Sequence, residues 1–320
     1  MGSTQSNSAK LNGYEDTYID FEDVSFAKGT SRRVYRGRFR GDQRVDGKQG
    51  VVKVYKEWYS SNLEELTWKA DDRAYKIASE IAQEFNNLYQ TSKPIKFITP
   101  EFIDVDPRTA QNFLGFTQSE RGSNTDVKPK VSDVEPRTPD VKQSASGSNT
   151  DIPKIATIAV ERYLDGTYVK FSSNTGYVHP KPMATPAAFS HFSYHVTDGE
   201  ILVCDLQGVR TNTSYELTDP AVHSGGTKAN EYGPNDWGKC GIVKFFMTHK
   251  CNELCKELKK PTKALDCTES QWEEFTKVVD KMPGGSSTAS TYRLEESYDI
   301  SPSKLREIQE RLKLKADVEK

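Results

Sequence analysis

Apolar and polar residues alternate along the early part of the chain. The stretch FEDVSFAKGTSRRVYRGRF alternates around a Lys-Gly-Thr turn and predicts a β-hairpin. GDQRVDGKQG reads as a turn, and GVVKVYKEW as a strand rich in β-branched residues. Lys53 lies between Val52 and Val54, so a period of two places it on the face opposite both valines. A lysine on the inner face of a sheet needs an anionic partner; on the outer face it is an ordinary strand lysine. The period then changes. From 63 to 90 there is no Gly or Pro, and Leu66, Ala70, Ala74, Ile77, Ala78, Ile81 and Phe85 recur at three- and four-residue steps. That spacing predicts a helix, with a break near Asp71-Asp72.

KPIKFITPEFIDVD reads as two strands interrupted by prolines. IATIAVERYLDG is a buried strand that becomes a linker of the kind that crosses between two lobes. TPAAFSHFSYHV is helix-like, EILVCDLQGV is a strand ending in polar residues, and GKCGIVKFFMTHKCNELCKEL is a helix opened by glycines. A charged amphipathic helix follows Ser301-Pro302-Ser303. Two stretches lack any such pattern. Residues 1–16 are polar and expected to be disordered, and 117–153 is of low complexity. In the latter, GSNTDVKPK from Gly122 recurs as GSNTDIPK from Gly147, as in a solvated insertion. The implied organisation is a tail at 1–16, a β-rich lobe at 17–116, the insertion at 117–153, a linker and second lobe at 154–260, and an extension at 261–320.

Composition narrows the function classes. Lys plus Arg is 44 against 46 Asp plus Glu, a net charge of −2, which argues against a protein that coats nucleic acid. No run of about 18 apolar residues is present, so no membrane span is expected. The five cysteines, 204, 240, 251, 255 and 267, are odd in number and follow no apolar signal core. A disulfide framework is therefore not expected, and a cytoplasmic, reducing location suits thiolates that hold a metal.

The candidate chemistry concentrates between His191 and Cys255. Asp205 and Gln207, two residues apart at the end of an apolar strand, would project from one face. A carboxylate with an amide oxygen is a modest Mg²⁺ site; the alternative is an aspartate that caps a turn. Asp219, before Pro220, could cap a helix or turn, or accept a proton from a substrate hydroxyl. Cys251 and Cys255, four apart, would share a helical face two residues after His249. Three such ligands suit Zn²⁺, with His191, His195, His223 and Cys240 as candidates for the fourth. Gly233, Gly238 and Gly241 form a glycine-rich turn ahead of a helix, able to approach phosphate or a substrate backbone. It lacks the Gly-Lys-Ser/Thr ending of a P-loop, and the chain has no His-Arg-Asp or Asp-Phe-Gly.

FAKGTSRRVYR, VVKVYK, FSHFSY, LVCDLQGV, LTDP, GPNDWG and THKCNELC occur in this order, and together they resemble the alpha-kinase family of atypical Ser/Thr protein kinases. The resemblance runs from about Phe21 to Leu258, apart from the insertion. It implies an α+β, two-lobed fold, with a β-rich N-lobe, a zinc-stabilised C-lobe and an ATP cleft between them. It implies ATP, Mg²⁺ and a structural Zn²⁺ as cofactors, and Ser/Thr hydroxyls of a protein substrate as acceptors. Lys53 and Arg32 would contact the ATP phosphates, and Asp71 and Lys170 would complete the nucleotide contacts. Glu161, Tyr163 and Leu164 would lie at the adenine hinge. Asp205 and Gln207 would hold Mg²⁺, and Asp219 would be the catalytic aspartate. His191, His249, Cys251 and Cys255 would hold zinc. The loop from Gly233 to Gly238 would lie near the peptide substrate. Oligomeric state is left open.

Two departures from the family pattern stand out. TNTSYE lengthens the loop between Asp205 and Asp219, and Asn235-Asp236 replaces the small residue and asparagine common in the glycine loop. The competing reading is a zinc-stabilised, catalytically silent binding scaffold. A zinc hydrolase fits less well, because four protein ligands would close the metal site.

Overall fold

The computed structural model describes residues 7–11, 17–29, 32–55, 57–105, 156–226 and 231–261, together with 270, 273, 307 and 310. The insertion 117–153 and the charged helix expected after Ser303 (Glu307 and Glu310 apart) lie outside the described residues. In chain order the elements begin with β1 (Asn7–Lys10), β2 (Tyr18–Phe21), β3 (Ala27–Lys28), β4 (Arg32–Arg40) and β5 (Gln49–Tyr55). There follow α1 (Glu57–Tyr89), β6 (Ile95–Phe97), β7 (Glu101–Val105), β8 (Ala156–Arg162), β9 (Tyr168–Lys170) and α2 (Ala184–Val196). The last are β10 (Ile201–Cys204), β11 (Gln207–Arg210), β12 (Tyr215–Thr218), β13 (Ala221–Ser224) and α3 (Gly238–Thr248). The architecture is α+β, as expected. It divides into two compact units, 1–62 with 101–160, and 63–100 with 161–320.

The first unit is a seven-stranded sheet ordered β1-β2-β4-β5-β8-β7, with β3 paired to β4. The hairpin read from the Lys-Gly-Thr turn is β3–β4, with Ala27 opposite Val34 and Lys28 opposite Arg33. Val52 and Val54 join Ile19, Phe21, Tyr35, Ile103, Ile158 and Val160 in one apolar cluster. Lys53 is therefore on the other face, opposite Val34, and is only 3% exposed. The expectation of disorder through residue 16 fails at β1, which pairs with β2 and buries Ala9, and at Leu11, buried just after it. Two apolar side chains on a short segment are enough to add it to an open sheet edge.

The second unit is built around α1. Its stripe of Ala74, Ala78, Ile81, Ala82, Phe85, Leu88 and Tyr89 packs with Ala188, Phe189 and Phe192 of α2 and with Val203, Leu206, Tyr215 and Leu217. Phe85 meets Phe189 and Phe192 edge-to-face, with ring centroids 5.7 and 5.4 Å apart. That packing puts residues 63–100 in the second unit, not in a first lobe running to 116. The break expected near Asp71-Asp72 does not occur; α1 runs unbroken for 33 residues. Asp72 pairs with Lys76 one turn on (2.6 Å), so the acidic pair supports the helix. The sheets of this unit are a four-stranded one, β6-β12-β11-β9, and the two-stranded β10-β13.

Candidate active site

EILVCDLQGV is not one strand. It breaks at Asp205, whose φ is 55°, into β10 and β11, which belong to different sheets. The partner segment, 215–224, breaks in the same way at Asp219, with φ 52°, into β12 and β13. Cys204 pairs with Ala221 on one side of the interruption, and Gln207 with Thr218 on the other. The two aspartates thus mark one kink in a single antiparallel ribbon. Left-handed backbone is costly for most residues but tolerated by Asp, whose short side chain bonds locally. Asp205 and Gln207 meet because of that turn, not because of a strand period: Gln207 Nε2 donates to Asp205 Oδ2 at 3.2 Å. Asp219 caps no helix.

Each half of the kink is pinned. Leu206 O accepts from the N–H groups of Phe171 (2.8 Å) and Ser172 (3.2 Å), and Leu206 N–H donates to Ser172 Oγ. Lys170, at the end of β9, pairs in register with Gln207, so Lys170, Gln207 and Thr218 form one row across three strands. Lys170 Nζ lies 2.8 Å from Asp205 Oδ1. On the other side, Asp219 N–H donates to the Tyr75 hydroxyl (2.8 Å), and that hydroxyl donates to Asp219 Oδ1 (3.1 Å). Thr218 Oγ1 donates to the buried Glu161 carboxylate, at 2.9 and 3.1 Å. Asp71 is buried on α1 one turn before Tyr75.

Leu164 packs with Ile98 and Val209, and Tyr163 beside it is half-buried. In the first unit the Arg32 guanidinium lies 5.3 Å over the Tyr55 ring. The extra residues of TNTSYE fall in the turn of the β11–β12 hairpin, where Thr211 N–H donates to Ser214 O. That end is three residue pairs from the Gln207–Thr218 pair, so the lengthening leaves the register at the kink intact.

The glycine loop is held from within. Asp236, 3% exposed, accepts from Ser224 N–H and Gly238 N–H (both 2.9 Å) and from Ser224 Oγ (2.8 Å). Gly233 and Gly238 have φ of 91° and 54°, and a Cβ on Gly233 would approach Ala70 to 3.3 Å. Arg73 ties the loop to α1 by donating to Glu231 O at 2.6 and 3.2 Å. His223 is no metal ligand, because both ring nitrogens are used. Nδ1 accepts from Trp237 N–H at 3.0 Å, which leaves the proton on Nε2, 2.9 Å from Asn174 O. Burial holds the His223 pKa below its ordinary value, with Asp236 opposing.

α3 ends at Thr248, and His249 is extended (ψ 128°), so Cys251 and Cys255 do not share a helical face. The metal-type cluster forms regardless. One ligand atom from each of His191, His249, Cys251 and Cys255 lies within 4.8 Å of the others. Cys251 Sγ is 3.6 Å from His191 Nδ1, and Cys255 Sγ is 3.5 Å from His249 Nε2. Tetrahedral zinc bonds of about 2.0–2.3 Å put ligand atoms roughly 3.3–3.8 Å apart, so the group fits that ion. His191 Nε2 is 2.9 Å from Lys259 O, which leaves Nδ1 facing the cluster. Cys255 and both imidazoles lower the Cys251 thiol pKa, while Cys251 and burial raise that of Cys255. Of the other candidates, His195 Nδ1 accepts from Lys259 N–H, and Cys240 is buried on α3, outside the cluster.

Sequence reasoning missed Tyr75 and Thr218 as site residues, and named Asp236 only as a departure within the glycine loop. The only signals were the four-residue step from Asp71 to Tyr75 and the adjacency of Thr218 to Asp219. Among the described residues, no helix is long and apolar enough to cross a membrane.

The sequence profile of the alpha-kinase family matches residues 27–255. Alpha-protein kinase vwkA of Dictyostelium discoideum is 42% identical over 100 residues, 31% of this chain and 16% of that protein. Alpha-protein kinase 1 of the same organism is 28% identical over 244 residues, 76% of this chain and 14% of that protein. The chain thus spans about a sixth of the length of these relatives. The alpha-kinase domain of myosin-II heavy chain kinase A, solved in complex with AMP-PNP, superposes with a TM-score of 0.54. That match is at 20% identity and covers 82% of this chain and 98% of the solved one.

Proposed function

The chain belongs to the alpha-kinase family, a family of protein kinases, and we propose that it transfers the γ-phosphate of ATP to Ser/Thr hydroxyls of a protein substrate. One observation supports this above the others: Asp205 and Asp219 flank a single kink in one ribbon, with Lys170 beside the first. Phosphoryl transfer asks a protein chiefly for positioning and for charge neutralisation, and this arrangement provides fixed carboxylates beside a cation.

The roles follow from the chemistry of each group. Asp219, half-buried, orients the acceptor hydroxyl or takes its proton. Asp205 and the Gln207 amide oxygen would hold Mg²⁺, which supplies charge neutralisation at the phosphates. Two protein oxygen donors suit an ion that keeps most of its shell as water and phosphate. Lys170 bears on the same carboxylate and on the nucleotide. Arg32 and Lys53 are the first unit's phosphate ligands, and Lys53 is buried on the sheet face that does not carry the apolar cluster. Glu161, Tyr163 and Leu164 take the adenine side, and Asp71 completes the nucleotide contacts. Gly233 to Gly238 serves the peptide. His191, His249, Cys251 and Cys255 would hold a structural zinc, which supplies a fixed crosslink between the α2 segment and the segment after α3.

The test is label transfer from γ-labelled ATP to a basic Ser/Thr peptide with Mg²⁺, comparing wild type with Asp219→Ala and Lys53→Ala. Labelling by wild type only is expected. Equal labelling in all three would remove the kinase reading.

A further inference from the structure

We propose that Tyr75 is a positioning residue of the phosphotransfer site, one that sets both the backbone and the carboxylate of Asp219. The inference rests on the reading of Asp219 as the group that handles the acceptor hydroxyl.

The geometry is specific to the phenol oxygen. One hydroxyl accepts from Asp219 N–H at 2.8 Å and donates to Asp219 Oδ1 at 3.1 Å. It therefore holds the left-handed main chain and the side chain of one residue at once. A backbone at φ 52° persists only where its surroundings over-determine it. Tyr75 is 2% exposed on the long helix α1, so its ring is fixed by packing and has no water-facing alternative. Its oxygen is steered in turn. It lies 3.0 Å from Thr218 Oγ1, whose own proton goes to the Glu161 carboxylate, at 2.9 and 3.1 Å. With that proton committed to Glu161, Thr218 offers the phenol a lone pair and no competing donor. The phenol proton is shared between Thr218 Oγ1 and Asp219 Oδ1, both on the acceptor side. The result is a buried chain, Glu161–Thr218–Tyr75–Asp219, that runs from the proposed adenine side to the proposed acceptor side. No packing requirement calls for the hydroxyl, because phenylalanine would fill the same volume.

The phenol therefore has a defined effect on chemistry. A hydrogen bond to a carboxylate favours its charged form, and the charged form is the one that can accept or orient a proton. Removing the hydroxyl leaves the ring in place, loosens Asp219 and makes its carboxylate easier to protonate.

The experiment measures Tyr75→Phe against wild type and Asp219→Asn in the full chain, with peptide and ATP varied separately. For Tyr75→Phe we expect kcat lowered about tenfold or more, the scale of a lost hydrogen bond to a charged group. The acid limb of the kcat–pH profile moves to higher pH, and the nucleotide dissociation constant stays within about twofold. A Tyr75→Phe enzyme with unchanged kcat and unchanged acid limb, beside an inactive Asp219→Asn, overturns the positioning role and leaves the kinase reading standing. A lowered kcat with an unmoved acid limb and weakened nucleotide binding also overturns it, because that is what a merely structural tyrosine would give. Activity retained by Asp219→Asn instead removes the reading of Asp219, and the role of Tyr75 with it.

Discussion

Asp205 and Asp219 stand on opposite strands of one antiparallel ribbon, at the same interruption, and both are left-handed, with φ of 55° and 52°. The ribbon leaves one sheet and enters another between Cys204–Ala221 and Gln207–Thr218. The pair's placement is thus a property of the backbone, set before any side chain chooses a rotamer. Asparagine tolerates this conformation and a β-branched residue does not. Asp205→Asn and Asp219→Asn should keep the wild-type melting temperature within a few degrees and lose phosphotransfer. Asp219→Val should lose stability as well, by about 1–3 kcal/mol in denaturant titration.

Lys170 and Asp205 separate function from stability. The lysine side chain is 45% exposed, and an ion pair so open to solvent contributes about 0–1 kcal/mol to folding. Lys170→Met should unfold at nearly the wild-type denaturant midpoint while phosphotransfer falls at least tenfold, the scale of a lost charge-assisted contact. A large stability loss with intact kcat would contradict the role given to Lys170.

Gly208 and Gly241 should resist substitution for different reasons. A Cβ on Gly208 would come within 2.1 Å of Glu216 O, across the hairpin that carries Gln207 and Thr218, at a φ of 150°. A Cβ on Gly241 would lie 2.5 Å from the buried His223 ring. Neither neighbour can yield cheaply. Each alanine variant should lose roughly 1–3 kcal/mol in denaturant unfolding, with Gly208→Ala the worse.

The His/Cys cluster should behave as a structural metal site. Metal analysis should find about one zinc per chain, and a strong chelator should lower the melting temperature, since binding energy at such a site is folding energy. His191→Ala should lower the folded yield sharply. Its imidazole spans the cluster and Lys259 O, whereas His195, outside the cluster, should tolerate alanine far better. A fully folded protein without metal would refute the assignment.

His223 gives a pH dependence with a definite sign. Its folded pKa lies below the ordinary value of 6.5, chiefly because burial disfavours the cation, while Asp236 pulls the other way. Below 6.5 the unfolded chain takes up this proton more readily than the folded one. The contribution is thus complete above that value and is lost as pH falls toward the folded pKa. Melting temperature should decline as pH falls below about 6.5, a range above that in which most carboxylates titrate. The decline should be shallower in His223→Asn than in wild type.

Much of this was legible in the chain. The alternation around Lys53 fixed its face, because Val52 and Val54 could only be satisfied together, and both lie in the apolar cluster. The three- and four-residue recurrence in 63–90 defined the stripe of α1, although not its start, since Glu57–Ser60 carries no such stripe. The motifs named the residues now found around the kink and in the His/Cys cluster.

Sequence alone therefore determined the type of most elements, the buried stripes and the chemical inventory, because these depend on local spacing and side-chain type. Only the tertiary structure decided how the inventory meets. DLQGV reads as one strand until a left-handed Asp205 divides it between two sheets, and THKCNELC reads as helix until His249 turns extended. Both outcomes hang on partners distant in sequence, the Phe171–Ser172 amide groups for the first and His191 on α2 for the second. Tyr75 meets Asp219 across 144 residues of chain, a contact that no periodicity encodes and that only long-range packing can make.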